Sequence, residues 1–171
     1  MTIPAIFCAI LLIRLLSLFK SVHNERKLKN SGAVEHGRLN SLALTLSHIL
    51  FYFSCLYESI LFERTINLYT LTGIGIFSFS MIILWIVIRS LKGIWTVKLI
   101  IAPVHPINDS FIFKYFRHPN YFLNVIPELI GVAFICQSWY TLILGLPIYL
   151  IPLGIRIYQE EKTMKANFGN Y

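Results

Sequence analysis

Five consecutive residues, Arg117-His118-Pro119-Asn120-Tyr121, place a guanidinium, an imidazole and a phenol directly before a long apolar run. A second polar group, Arg156-Ile157-Tyr158-Gln159-Glu160-Glu161, follows the last apolar run. Together they offer donors for an anion, carboxylates for an ammonium and aromatic faces for a cation. The two groups flank a pair of apolar segments that reads as a helical hairpin, so folding can bring them together at a membrane surface. A plainer reading is open for the second group, in which Arg156 and Glu160 form an i,i+4 ion pair on a solvated helix face. Arg before Glu is the weaker order for such a pair. The residues alone leave the two readings level.

The elements that must position these side chains are apolar helices. Of 171 residues, 56% are hydrophobic and 13% charged, and the mean hydropathy is +0.67. A soluble domain of this size cannot cover so much apolar surface, which predicts one all-α, polytopic membrane helix bundle. Five apolar segments are legible, about Ile3–Phe19, Ser41–Phe62, Leu68–Ile88, Phe122–Cys136 and Trp139–Ile155. The first three are long enough for a core about 30 Å thick. The last two are shorter and separated by Gln137-Ser138, with Trp139 and Tyr140 at the far interface. Arg14 sits late in the first segment and no small-residue cleavage site follows it, so it reads as a retained helix rather than a signal peptide. Residues 156–168 read as a helix leaving the membrane, with Ile157, Met164 and Phe168 on one stripe.

Charge placement predicts orientation. Lys20–Asn40, Arg89–Tyr121 and the segment after Ile155 together hold 13 of the 15 Lys and Arg, and the positive-inside rule assigns them to the cytoplasm. The N-terminus is then outside and the C-terminus cytoplasmic, in a multi-pass protein of a bacterial inner membrane. The net charge of +7 follows from this bias and from anionic lipid headgroups. It does not point to nucleic acid. Cys8, Cys55 and Cys136 lack metal-ligand spacing and read as plain core residues.

Other polar residues fall inside the spans, where an ionisable group is costly and marks a functional candidate. His48 reads as a neutral residue hydrogen-bonded between helices, and Glu58 as a group reaching the outer interface. Glu128 follows Pro127, whose missing N–H frees a carbonyl and opens room for water. Pro147 and Pro152 predict a kink in the fifth segment. Pro103 and Pro106 break the stretch between the third and fourth segments, and Pro119 suits a first helical turn.

These motifs resemble the isoprenylcysteine carboxyl methyltransferase family of integral membrane enzymes. The matching stretches are His105-Pro106-Ile107-Asn108, Phe113-Lys114-Tyr115-Phe116, Arg117 through Tyr121, Arg156-x-x-x-Glu160-Glu161, and Asn167-Phe168-Gly169. They cover the C-terminal half from Trp95 onward. The first loop, Asn24 through Glu35, looks like the bacterial branch, whose substrates need not be prenylated proteins. The resemblance implies S-adenosyl-L-methionine as cofactor, held at the cytoplasmic face by residues 89–171, with residues 1–88 as a three-helix part of the same single domain. It implies cofactor contacts from His105, Ile107, Asn108, Phe113, Arg117, His118, Tyr121 and Glu160. Arg156 is implied as the catalytic residue near the acceptor carboxylate. In this scheme Glu160 takes the α-ammonium, Arg117 and His118 the α-carboxylate, and Tyr121, Phe113 and Tyr115 face the sulfonium.

A carboxylate acceptor is already ionised near neutral pH and needs no base. An enol or phenol needs one, and Glu128 or His118 is available. The acceptor is a lipophilic or prenylated molecule entering from the bilayer. Alternatives are a phospholipid N-methyltransferase, a sterol-reductase-like enzyme using NADPH, and a non-enzymatic membrane subunit. The chain departs from the family pattern at Phe113, where Tyr is common, and at Leu123, where Gly is frequent. Its short end after Phe168-Gly169 is expected to leave the cofactor less covered.

Overall fold

A stripe of positions 3, 7, 10, 14, 21, 24 and 28 runs along the first helix at a repeat near 3.5, and it faces the rest of the bundle. This is α1 (Ile3–Asn30) in the computed structural model, which describes residues 2–91, 93–101 and 118–168. The helix is 28 residues long and continues well past Phe19, because Lys20 to Asn30 are mostly good helix formers on a polar extension. It ends at Ser31-Gly32, where Gly32 has φ +85°. Two further long helices follow, α2 (Arg38–Leu61) and α3 (Leu68–Ser90). Gly37 enters α2 with φ +61°, a conformation that favours glycine. Asn67 caps α3, its Oδ1 accepting from the backbone N–H of Tyr69 at 2.9 Å and Thr70 at 3.3 Å.

A helical segment runs from Asn120 to Cys136, opening in a π-helical turn (Asn120–Val125) and continuing as α4 (Ile126–Cys136). Pro119 precedes it with a helical φ of −62°. At about 1.5 Å per residue this segment is shorter than a full span. It occupies the centre of the bundle, so lipid does not set its length. Leu129, Val132, Ala133, Ile135 and Cys136 are buried, and Gly131 and Gly73 let α4 and α3 touch backbone to backbone. A second π-helical turn (Thr141–Gly145) leads into α5 (Leu146–Phe168). The last apolar segment and the predicted exit helix are therefore one continuous element, with Pro152 inside it. Among the described residues, four helical stretches are long and apolar enough to span a membrane, and Asn120–Cys136 is a shorter apolar one. Leu12, Leu16, Phe19, Ile143, Leu144 and Ile151 point outward, as a lipid-facing surface requires.

At the end of the bundle away from Arg156, Glu58 is buried near the end of α2. Its carboxylate accepts from the backbone N–H groups of Tyr140 (3.0 Å) and Thr141 (2.8 Å), satisfying the orphan donors where the last helical stretch begins. Cys55 and Cys136 are core residues, whereas Cys8 lies on the exposed side of α1.

A two-stranded antiparallel ribbon joins β1 (Val34–His36) to β2 (Leu99–Ile101), with Val34 opposite Ile101 and His36 opposite Leu99. It fixes the chain that follows α3 against the chain that follows α1. Asn24 Nδ2 donates to the Trp95 carbonyl at 2.8 Å, and Val97 N–H donates to Ser21 Oγ at 2.8 Å. Lys98 Nζ lies 2.7 Å from Glu25 Oε1, and Lys29 Nζ lies 2.7 Å from both Glu25 Oε1 and Glu35 Oε2. Hydrogen bonding from Lys29 holds the Glu35 carboxyl below its ordinary pKa.

Candidate active site

The chain reverses between α4 and α5, so the start of the Asn120–Cys136 segment returns beside the C-terminal part of α5. That brings together the two polar groups that the sequence places far apart. Tyr121 Oη donates to Glu160 Oε2 at 2.5 Å. His118 Nδ1 lies 3.3 Å from Glu160 Oε1, and its Nε2 lies 3.3 Å from Glu161 Oε1. The His118 and Tyr121 rings stack, with centroids 5.7 Å apart and planes 25° apart. Burial lowers the His118 pKa, but the hydrogen bonds and charges of Glu160 and Glu161 outweigh it and raise the value above the ordinary one.

Arg156 stands four residues before Glu160 on the same face of α5 and is 2% exposed. All three of its nitrogens donate to the protein: Nε to Tyr121 Oη at 3.3 Å, Nη1 to Ser41 Oγ at 2.7 Å and Nη2 to the Val97 carbonyl at 2.8 Å. The Val97 peptide therefore bridges α1, through Ser21, and α5, through Arg156. Arg156 is the brace that joins the clamp to α2 and to the ribbon.

Glu160 and Glu161 are the reachable members of the group, their side chains 25% and 33% exposed against 4% for His118. His118 and Arg156 stand against Glu160 and Glu161, and the three Arg156 nitrogens are engaged within the protein, so what the described part of the site offers a ligand is the exposed edge of the two carboxylates. His105, Ile107, Asn108, Phe113 and Arg117 lie outside the described residues; the chain enters and leaves that stretch at Ile101 and His118.

Sequence reasoning placed His118, Tyr121, Arg156 and Glu160 in one site, and the fold brings these four together. It missed Ser41 and the Val97 peptide, which no residue type announces. It also missed that Arg14 pairs with Glu128, Arg14 Nε lying 2.6 Å from Glu128 Oε1. The signal was present: two opposite charges inside apolar segments each need a partner. His48 does bridge helices, with Nδ1 3.3 Å from Tyr149 Oη and Nε2 3.4 Å from Glu128 Oε1.

The fold and site together define a membrane helix bundle with a polar clamp at one end. Residues 73–166 match the sequence profile of the isoprenylcysteine carboxyl methyltransferase (ICMT) family. The chain belongs to that family of membrane methyltransferases. It is 48% identical over 162 residues to an uncharacterized protein of Haemophilus influenzae, covering 95% of this chain and 94% of that one. It is 27% identical over 142 residues to the uncharacterized protein YpbQ of Bacillus subtilis, covering 83% of this chain and 84% of that one. No solved structure matches.

Proposed function

We propose that the protein transfers a methyl group from S-adenosyl-L-methionine to an oxygen of a lipophilic acceptor, a carboxylate or an enol or phenol. The carrying observation is the convergence of Tyr121 and His118 on Glu160, braced by Arg156. When bound, the cofactor supplies an electrophilic methyl on a sulfonium. Glu160 receives the ammonium of its amino-acid part, a charge-assisted contact, and the ring of Tyr121 offers a face to the cation. Arg117 takes the α-carboxylate, His118 holds Glu160 in place from the protein side, and His105, Ile107, Asn108 and Phe113 complete the pocket. Arg156 acts here as a positioning residue: it orients the Tyr121 hydroxyl, and through it the Glu160 carboxylate. Seclusion among the helices excludes water, so alignment rather than proton transfer lowers the barrier for a carboxylate. The clamp faces the cytoplasm, and the acceptor enters from the bilayer of the inner membrane.

Incubating membranes that contain the protein with methyl-radiolabelled cofactor, then extracting with organic solvent, tests this reading. Label is expected in an apolar product only when the protein is present. No label in lipid, small molecule or protein above that of an Arg156→Ala, Glu160→Gln control would contradict it.

A further inference from the structure

Glu161 is the half of the acidic pair that the methyl-transfer reading leaves without a task. Its Oε1 lies 3.3 Å from His118 Nε2, and the two are hydrogen-bonded. The other ring nitrogen, Nδ1, lies 3.3 Å from Glu160 Oε1, at ion-pair distance but without hydrogen-bond alignment. One buried imidazole therefore stands between two reachable carboxylates, anchored on Glu161 and set more loosely against Glu160. Among the described residues, no Lys or Arg lies within ion-pair distance of either carboxylate.

The two contacts select a charge state. A neutral imidazole has one N–H and one bare nitrogen. With a carboxylate at each nitrogen, a neutral ring sets a lone pair against a carboxylate oxygen. Only the imidazolium presents a donor to both. The titratable groups that face the ring, among the described residues, are Glu160 and Glu161 of α5 and the stacked Tyr121 of its own segment, with Arg156 of α5 behind Tyr121. Burial lowers the His118 pKa, and the two carboxylates outweigh it and hold the value above the ordinary one. The clamp thus carries a cation of its own, seated against the carboxylate that is read as taking an ammonium.

We propose that Glu161 is a positioning residue that keeps His118 as the counter-ion of Glu160, and that His118 gives up its Nδ1 proton to solvent when the ammonium of the methyl donor reaches Glu160. The inference rests on the methyl-donor reading above. A second cation beside an imidazolium disfavours the charged ring and lowers its pKa. Glu161 keeps the Nε2–H in place, which fixes the neutral tautomer and leaves Nδ1 bare on the side of Glu160. One proton leaves as one ammonium enters, so the charge of the clamp is conserved. The His118 pKa starts above its ordinary value and falls on binding. Between the two values, binding releases a proton and tightens as pH rises.

Titration calorimetry of S-adenosylhomocysteine into the full chain in nanodiscs at about pH 7, run in phosphate and again in Tris, counts the protons exchanged, because the two buffers differ in ionisation enthalpy. Release of a fraction of a proton per ligand is expected. Affinity is expected to rise between about pH 6.5 and 7.5, by at most about tenfold per pH unit, the limit for one proton. A free-amine fraction of the ligand would take a proton up, which is the opposite sign. In His118→Gln the remaining binding is expected to carry no release. In Glu161→Gln the release is expected to shift to lower pH, since one of the two carboxylates that raise the His118 pKa is gone; a merely structural Glu161 would leave the proton count unchanged. Binding to the unaltered protein without release, or release that survives in His118→Gln, would overturn the inference. Should His118→Gln fail to fold or to bind, Glu161→Gln decides, and a proton count equal to that of the unaltered protein would overturn it. No binding to the unaltered protein at any pH would instead contradict the methyl-donor reading, and the inference would fall with it.

Discussion

His118 ties the chemistry of the clamp to pH. Its ring is buried, yet it meets two carboxylates, one at each nitrogen, and this raises its pKa above the ordinary value of 6.5. A group whose pKa is raised on folding adds stability at low pH, and that contribution is lost as pH rises through the folded value. Without ligand, the thermal midpoint in detergent is therefore expected to fall as pH climbs from about 6.5 through the folded pKa of His118. His118→Gln should flatten that part of the profile. An unchanged slope in the variant would mean that the imidazole does not carry charge between Glu160 and Glu161. The same arrangement says what the phenol of Tyr121 does in the folded protein. It donates to Glu160 and accepts from Arg156, so it relays the position of a buried cation to a reachable carboxylate.

At the scale of elements, the clamp depends on how closely α3 and α4 pack. A Cβ on Gly131 would stand 2.8 Å from the backbone nitrogen of Phe77, and one on Gly73 would stand 2.5 Å from that of Ile135. Neither backbone can give way as a flexible side chain would. Gly131→Ala is expected to cost about 1–3 kcal/mol of stability, the usual range for an overpacked core. It should lower the thermal midpoint in detergent by several degrees; a midpoint equal to that of the unaltered protein would show that the two helices can separate freely. The helices themselves were legible from hydropathy, and so was the hairpin that brings Tyr121 back to Glu160. The extension of α1 to Asn30 was not, because charged helix formers look the same in a loop and in a solvated helix. Nor was the ribbon between β1 and β2. Strands of three residues carry no period of their own, and the chain leading into β2 is held by Ser21, Asn24 and Glu25 of α1. Glu58 was legible as a polar residue but not as a cap, since its partners are backbone groups 82 and 83 residues away.

For the whole molecule, a small chain solves two problems with one bundle. The long helices present Leu, Ile and Phe side chains outward as a surface for lipid, and the short central helix needs no such surface. It can therefore begin inside the bundle, where Tyr121 and His118 meet α5. Among the described residues, the clamp, the cluster around Glu128 and the far-end cap at Glu58 each draw polar partners from at least two elements. The motif at 117–121 announced the methyl donor through its likeness to a family. The Arg14–Glu128 pair was not announced, because the two residues are far apart in sequence and meet only through the packing of α1 against α4. The account stands on Glu160 as the carboxylate that receives the donor's ammonium. Titration calorimetry of S-adenosylhomocysteine into the detergent-solubilised protein and its Glu160→Gln variant tests this most directly. The account predicts an affinity lower by about tenfold or more in the variant, one charge-assisted contact having become neutral, and equal affinities would contradict it.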